Sequence, residues 1–324
     1  MSGTKVLFDK DLDDSPLRLR QIAIIGYGSQ GRAQALNLRD SGFPPLVGVR
    51  PGKSFDRAAG DGHEVTSVED ACRRCDVIVL LAPDEAQPDL CLASVFPNAR
   101  PGSMLGFATG FNIHFGLIKV PDPLKVFLAA PKGPGHVLRQ RYLAGGGLPA
   151  LVAALGDDPD ALAVSLAYAK AIGGGRAGVI RTSFAEEAIA DLFGEQSVLA
   201  GGMIELMKAA FGVLVKRGYT PEVAYIECIA EVEYMASLIS AVGPARLGEH
   251  ISSTAFYGGL TRGGRIVDEG VKAKLRAILE EVEDGRFVEE FRRYAASGRA
   301  APAAAESEAL EAARLNLLRG GSRD

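Results

Sequence analysis

The stretch "QIAIIGYGSQGRAQALNLRDSG", residues 21–42, restricts the fold more than any other part of the 324-residue chain. "QIAIIG" is a short apolar run suited to a buried parallel strand, which is covered on both faces. "GRAQALNLRDSG" then shows helical spacing at Ala33, Leu36 and Leu38 and stops at Gly42, a plausible helix C-cap. Between strand and helix lies Gly26-x-Gly28-x-x-Gly31. The first glycine permits the tight turn, the second lets the backbone approach a pyrophosphate, and the third lets helix and strand pack closely. The helix start offers unpaired N–H groups and a positive dipole end to phosphates. The spacing alone is weak evidence; in this context it reads as a dinucleotide site.

The pattern repeats downstream. "LVGV", "DVIVLLA", "GSMLGFA", "KVFLAA" and "LPALVAAL" read as further strands, with a short helix over 55–60. Strands alternating with helices imply a doubly wound parallel sheet. After about Ile180 no strand pattern is convincing, and residues 184–243 read as long helices. The expected fold class is therefore α/β: a Rossmann domain over 1–182 and an all-helical domain over 183–324. The Ala-rich tail is expected to form a terminal helix with frayed last residues.

Net charge is −4, with both signs mixed along the chain, so neither a nucleic-acid surface nor a membrane-binding face is expected. No apolar run reaches the roughly 18 residues of a membrane helix, and the N-terminus lacks a signal-peptide core. Four cysteines, Cys72, Cys75, Cys91 and Cys228, make no disulfide framework, which suits the cytoplasm. Cys72-x-x-Cys75 has no second ligand pair to complete a zinc site and reads as helix positions ahead of a strand.

The helical half carries two carboxylate pairs, Asp191-x-x-x-Glu195 and Glu227-x-x-x-Glu231. Spacing of four puts each pair on one helix face. Apolar neighbours rather than lysines flank them, and buried like charges call for a cation. All-oxygen ligation suits Mg²⁺, and four carboxylates suffice for two ions. Solvated helix faces are the competing reading.

"IAIIGYGSQGRAQALNLRDSG", "GFNIHFG", "APKGPGH", "AGVIRTSFAEEAIADLFGEQ" and "ISSTAFYG" together resemble ketol-acid reductoisomerase in its short, class I form, over about residues 5–295. The resemblance implies a Rossmann domain, a knotted helical domain and an active site completed by a second subunit. It implies two Mg²⁺ ions, an alkyl shift in 2-acetolactate and a nicotinamide hydride transfer. By motif, Asp191 and Glu195 would be metal ligands, with Asp191 bridging. Glu227 and Glu231 would come from the partner chain, as a metal-linked ligand and a proton carrier. Lys132 would hold the metal-site carboxylates and water, and Ser252 would contact substrate. Gly26, Tyr27, Gly28, Ser29, Gln30, Gly31, Arg50, Ser54, Asp84 to Gln87 and Gly135 would form or line the cofactor site.

The chain departs from the family at three places. "GHAHAL" becomes "GRAQAL", with Arg32 and Gln34. Thr109 replaces a histidine, and threonine cannot shuttle protons as imidazole does. Phe256 replaces a glutamate close to Ser252, making that position apolar and offering a π face to a cation. Thr109 and Phe256 are thus the candidate specificity positions of the catalytic set. Arg50, Lys53 and Ser54 suit a 2′-phosphate and NADP(H), whereas the shortened "RPGKSFD" loop tips the reading to NAD(H). These departures favour a repurposed enzyme of specialised metabolism acting on a small hydroxy or keto acid, such as a sulfonium-bearing acid closed to a cyclopropanol. The alternatives are a genuine ketol-acid reductoisomerase of branched-chain amino acid biosynthesis and a non-catalytic cofactor-binding protein. A homodimer, or an assembly of dimers, is expected.

Overall fold

The computed structural model describes residues 5–298 and 307–319. They divide into two compact units, the first ending at Ala190 and the second beginning at Asp191.

The first unit is built on a nine-stranded sheet. Its strands are β1 (Val6–Leu7), β2 (Ile22–Ile25), β3 (Leu46–Gly48), β4 (Val65–Thr66), β5 (Val77–Leu80), β6 (Met104–Phe107), β7 (Lys125–Pro131), β8 (Ala150–Ala154) and β9 (Val179–Arg181). They lie in the order β1-β9-β8-β7-β6-β5-β2-β3-β4. From β4 across to β7 every pairing is parallel. β8 then runs antiparallel to β7, and β1 antiparallel to β9. The sheet is thus doubly wound but not wholly parallel. "LPALVAAL" forms a strand as expected but enters in reverse, because the connection through α7 returns to the end of the sheet at which β7 stops, pairing Ala150 with Pro131. β1, β4 and β9, two or three residues each, are too short to show a period.

The helices of this unit are α1 (Ser15–Arg18), α2 (Ser29–Asp40), α3 (Lys53–Gly60), α4 (Val68–Arg74), α5 (Gln87–Leu90), α6 (Phe111–His114), α7 (Gly135–Leu143), α8 (Pro159–Ala171) and the first turns of α9 (Phe184–Gly194). Alternation along the strands sends successive residues to opposite faces. Ile22, Ile24, Val77, Val79 and Phe127 bury against α2 and α8. Ala23, Ile25, Ile78, Leu80 and Leu128 bury against α4 and Phe184. This double coverage explains why β2 and β5 are apolar at every position. Cys72, Cys75 and Cys91 lie in the second of these cores.

The second unit is helical: the end of α9, then α10 (Gly202–Lys216), α11 (Pro221–Tyr225), α12 (Val232–Val242), α13 (Ser253–Ile266), α14 (Glu269–Glu283), α15 (Arg286–Ala296) and α16 (Ser307–Arg319). Its buried core is small. One cluster joins Phe211, Ala224 and Ala313, and Val282 and Val288 are buried on α14 and α15. Many large apolar side chains remain exposed in the single chain, including Leu199, Leu206, Val213 and Leu260. The helical stretch Phe184–Lys216 is long and apolar enough to cross a membrane by length and composition. The sequence reading missed it because acidic residues interrupt every uniformly apolar run. Length and composition alone do not make it a span, since a partner surface on a soluble protein meets the same description.

Candidate active site

A groove of about 1220 Å³ opens at the C-terminal ends of β2, β3 and β5, and its lining includes Gly26, Gly28, Gln30, Arg50, Asp84 and Thr109. This is where an open parallel sheet presents a ligand crevice. The three fingerprint glycines have different reasons to be glycine. Gly26 has φ +99°, and a Cβ there would lie 2.8 Å from the backbone of Leu81. A Cβ on Gly31 would lie 2.1 Å from the carbonyl oxygen of Gly26, so α2 could not pack on the turn. A Cβ on Gly28 would meet nothing within 4 Å, and Gly28 lines the groove.

Ser29, Lys53, Ser54 and Gln87 also line the groove, with Arg50, Lys53 and Ser54 on its exposed rim. Gly31 and Gly135 do not line it. Gly135 begins α7 and packs against the backbone of Ser29, where a Cβ would lie 2.3 Å from its carbonyl oxygen. Its contribution is to let two helix starts meet. Gln30 Nε2 donates to the Gly133 carbonyl at 2.8 Å, tying the phosphate turn to the loop after β7.

Tyr27 contributes backbone to the groove, but its side chain is buried. Its hydroxyl donates to Asp61 Oδ2 at 2.9 Å, while Arg32 grips both carboxylate oxygens at 2.7 and 2.9 Å. The Arg32 hydrogen bonds hold the Asp61 carboxyl down at about 2, and burial with the Asp61 hydrogen bond pushes the Tyr27 phenol up. The departure at Arg32 therefore has a structural partner that the sequence reading did not identify.

At the far end of the groove, Thr109 Oγ1 accepts from Phe111 N at 3.3 Å, so its hydroxyl caps the turn into α6. Next to it, Gly110 N donates to Glu187 Oε2 at 2.6 Å. A Cβ on Gly110 would lie 2.3 Å from the carbonyl oxygen of Phe184, so this glycine lets α9 sit on the loop. Glu187 is fully buried and its other oxygen accepts from Lys132 Nζ at 2.5 Å. Buried carboxylates need such partners. Sequence reasoning missed Glu187. The signal was there: Glu187, Asp191 and Glu195 repeat every fourth residue along "EEAIADLFGE", one stripe of a helix. Asn112 extends the arrangement, its Nδ2 donating to the Asp84 carbonyl at 2.9 Å and to Gln87 Oε1 at 3.1 Å.

Both carboxylate pairs lie at π turns. Glu195 opens one, Glu195–Leu199, closed by Ala200 N donating to the Glu195 carbonyl at 2.7 Å. Glu227 lies inside another, Ile226–Ala230, closed by Glu231 N donating to the Ile226 carbonyl at 3.2 Å. An i→i−5 bond inserts one residue into the helix and is frequent at functional sites. Glu195, Glu227 and Glu231 are exposed and Asp191 is half-buried. Among the described residues of one chain, no three metal-ligating side chains come together. Ser252 Oγ caps α13, accepting from Ala255 N at 3.2 Å. One turn on, the ring of Phe256 covers Gly248, where a Cβ would lie 2.8 Å from it.

Comparison with known proteins agrees with this layout. Residues 16–178 match the acetohydroxy acid isomeroreductase NADPH-binding domain, and residues 184–315 match the ketol-acid reductoisomerase C-terminal domain. A ketol-acid reductoisomerase (NADP(+)) of Leuconostoc mesenteroides subsp. mesenteroides is 46% identical over 290 residues, 89% of this chain and 83% of that protein. The structure of an NADH-preferring ketol-acid reductoisomerase from an uncultured archean superposes with TM-score 0.93 at 38% identity, covering 98% of this chain and all of that one. An oxidoreductase of Jannaschia sp. CCS1 superposes with TM-score 0.60 at 18% identity, covering 82% and 97%, a likeness of fold alone. The chain belongs to the ketol-acid reductoisomerase family and is an NAD(P)-dependent oxidoreductase and isomerase.

Proposed function

We propose that this enzyme carries out the ketol-acid reductoisomerase reaction, converting 2-acetolactate to 2,3-dihydroxyisovalerate. One observation supports this most: Lys132 and the backbone of Gly110 are hydrogen-bonded to the two oxygens of the buried Glu187, next to Thr109 of the groove. The comparisons weigh the same way, against the repurposed reading that the two substitutions suggested.

The all-oxygen donor set fits Mg²⁺, which Asp191 and Glu195 of one chain and Glu227 and Glu231 of a second would hold. Mg²⁺ there would polarise the substrate's hydroxyl and carbonyl oxygens. The chain's own groups do the rest. Lys132, held by Glu187, keeps positive charge where oxygen charge develops. Glu231 accepts the hydroxyl proton as the alkyl group migrates to the neighbouring carbonyl carbon and returns one to the new alkoxide. The groove fixes the nicotinamide so that its hydride reaches the ketone that results, and a proton from solvent completes the second hydroxyl. The exposed apolar side chains of the second unit would be covered by a second copy, making the enzyme a dimer or an assembly of dimers.

For the cofactor we propose NAD(H). Only four residues, Val49–Gly52, join β3 to α3, and the relative with TM-score 0.93 is NADH-preferring. Arg50 and Lys53 supply the opposing pull towards a 2′-phosphate. A kcat/KM ratio favouring NADPH would overturn this choice.

A second reading has a specific basis. Thr109 offers no titratable group and caps a turn, while Phe256, one helical turn after Ser252, is 38% exposed. A substrate with a cationic carbon chain, such as a sulfonium hydroxy acid, would use that π face and dispense with the histidine. Purified protein with Mg²⁺, 2-acetolactate and NADH or NADPH decides. Turnover at about 1 s⁻¹ or more, the lower end of ordinary enzyme rates, supports the first reading. Silence there, with turnover of a sulfonium hydroxy acid, establishes the second.

A further inference from the structure

The C-terminal helix α16 is seated on the segment that carries the second carboxylate pair. Ala313 is 2% exposed and buries with Phe211 of α10 and Ala224 of α11. Leu310 packs on the same cluster, and so does Ile229, which lies inside the π turn Ile226–Ala230. Asn316 Nδ2 donates to Glu222 Oε1 at 2.9 Å. Glu222 is in the first turn of α11, and α11 runs without a break into the π turn.

Glu227 and Glu231 are exposed, so the backbone beneath them sets their direction. A π turn holds one residue more than the α-helix around it and competes with the regular i→i−4 register. Passage between the two registers would shift Glu227 around the helix relative to Glu231, so the angle between the two carboxylates depends on which register is held. Small residues at 313 and 224 bring α16 and α11 close, and Asn316 fixes the position of α16 along α11.

We propose that α16 is a clamp that holds α11 and the π turn in one register and so fixes the angle between Glu227 and Glu231, making Leu310, Ala313 and Asn316 positioning residues for metal binding. The inference rests on the assignment of Glu227 and Glu231 as the second metal-binding pair.

The test uses the full chain with Mg²⁺ alone, without substrate, and the variants Ala313→Glu, Asn316→Ala and Glu227→Gln. Ala313→Glu is expected to raise the Mg²⁺ Kd roughly tenfold, the scale of outer-shell losses at metal sites. It should also speed amide exchange across residues 226–231 and leave the nicotinamide Kd unchanged. Asn316→Ala should do the same by roughly two- to threefold, within the range of one hydrogen bond, and serves alone if Ala313→Glu fails to fold. Unchanged Mg²⁺ affinity and unchanged exchange at 226–231, with exchange at 308–318 showing α16 released, overturn the clamp. Glu227→Gln separates the two claims. If it leaves Mg²⁺ binding intact, the metal assignment fails and the clamp falls with it. If it weakens binding while the α16 variants do not, the clamp alone is wrong.

Discussion

Lys132 and Glu187 meet with the carboxylate fully buried and the ammonium partly open to solvent. Removing Lys132 as Lys132→Met would leave the buried negative charge of Glu187 without its lysine partner. The expected loss is about 3–5 kcal/mol in urea unfolding, the usual cost of breaking a buried pair. Activity should vanish in the same variant. Asp61 behaves differently because its pKa is depressed to about 2 by Arg32. Its contribution is complete above about pH 4, the unfolded carboxyl value, and is lost as pH falls towards 2. The stability gap between wild type and Asp61→Asn should therefore close over that window. Burial pushes the Cys72 and Cys91 thiols up to about 12 and Cys75 up to about 11. A thiol reagent at pH 8 should label no more than Cys228 in the native protein, and all four after unfolding. At this scale the sequence was only partly legible. Asp191 and Glu195 stood out by motif, but Glu187, Arg32 and Asp61 act through partners distant in sequence, and no local spacing displays those.

At the scale of elements, the glycines supply the clearest contrast. Gly31→Ala would drive a methyl group into the Gly26 carbonyl, whereas Gly28→Ala meets open space. The first should lose at least about 2 kcal/mol of stability through overpacking. The second should keep its melting temperature and lose cofactor affinity about tenfold, or 1.4 kcal/mol. Equal melting losses in both would refute this assignment. The long strands β2, β5, β6 and β7 were readable because full burial leaves continuous apolar runs. The reversal of β8 was not, because strand direction is fixed by crossover geometry rather than by composition. The π turns were invisible for a related reason. Residues spaced by four share a face in either register, so the spacing of Glu227 and Glu231 looks the same with or without the inserted residue.

At the scale of the whole molecule, the helical unit exposes more apolar surface than a lone chain should carry. Leu206→Glu and Val213→Glu are expected to shift the enzyme to monomers in light scattering and abolish turnover, with nicotinamide binding retained. A wild type that is monomeric would overturn the proposed assembly, and a dimer that persists in both variants would place its interface elsewhere. The sequence changes periodicity near residue 180, whereas the compact units divide between Ala190 and Asp191, inside α9. What single-chain patterning cannot display is which exposed helix face would meet the proposed second copy, because the residues that would cover it lie outside the chain. Within the first unit, the Gln30 hydrogen bond to the Gly133 carbonyl lies one residue from Lys132. Filling the phosphate turn with pyrophosphate would stiffen Gln30 and, through it, the loop that aims the lysine. Cofactor should therefore enter first and substrate second, a sequence of addition that product-inhibition patterns and the substrate affinity of Gln30→Ala would display.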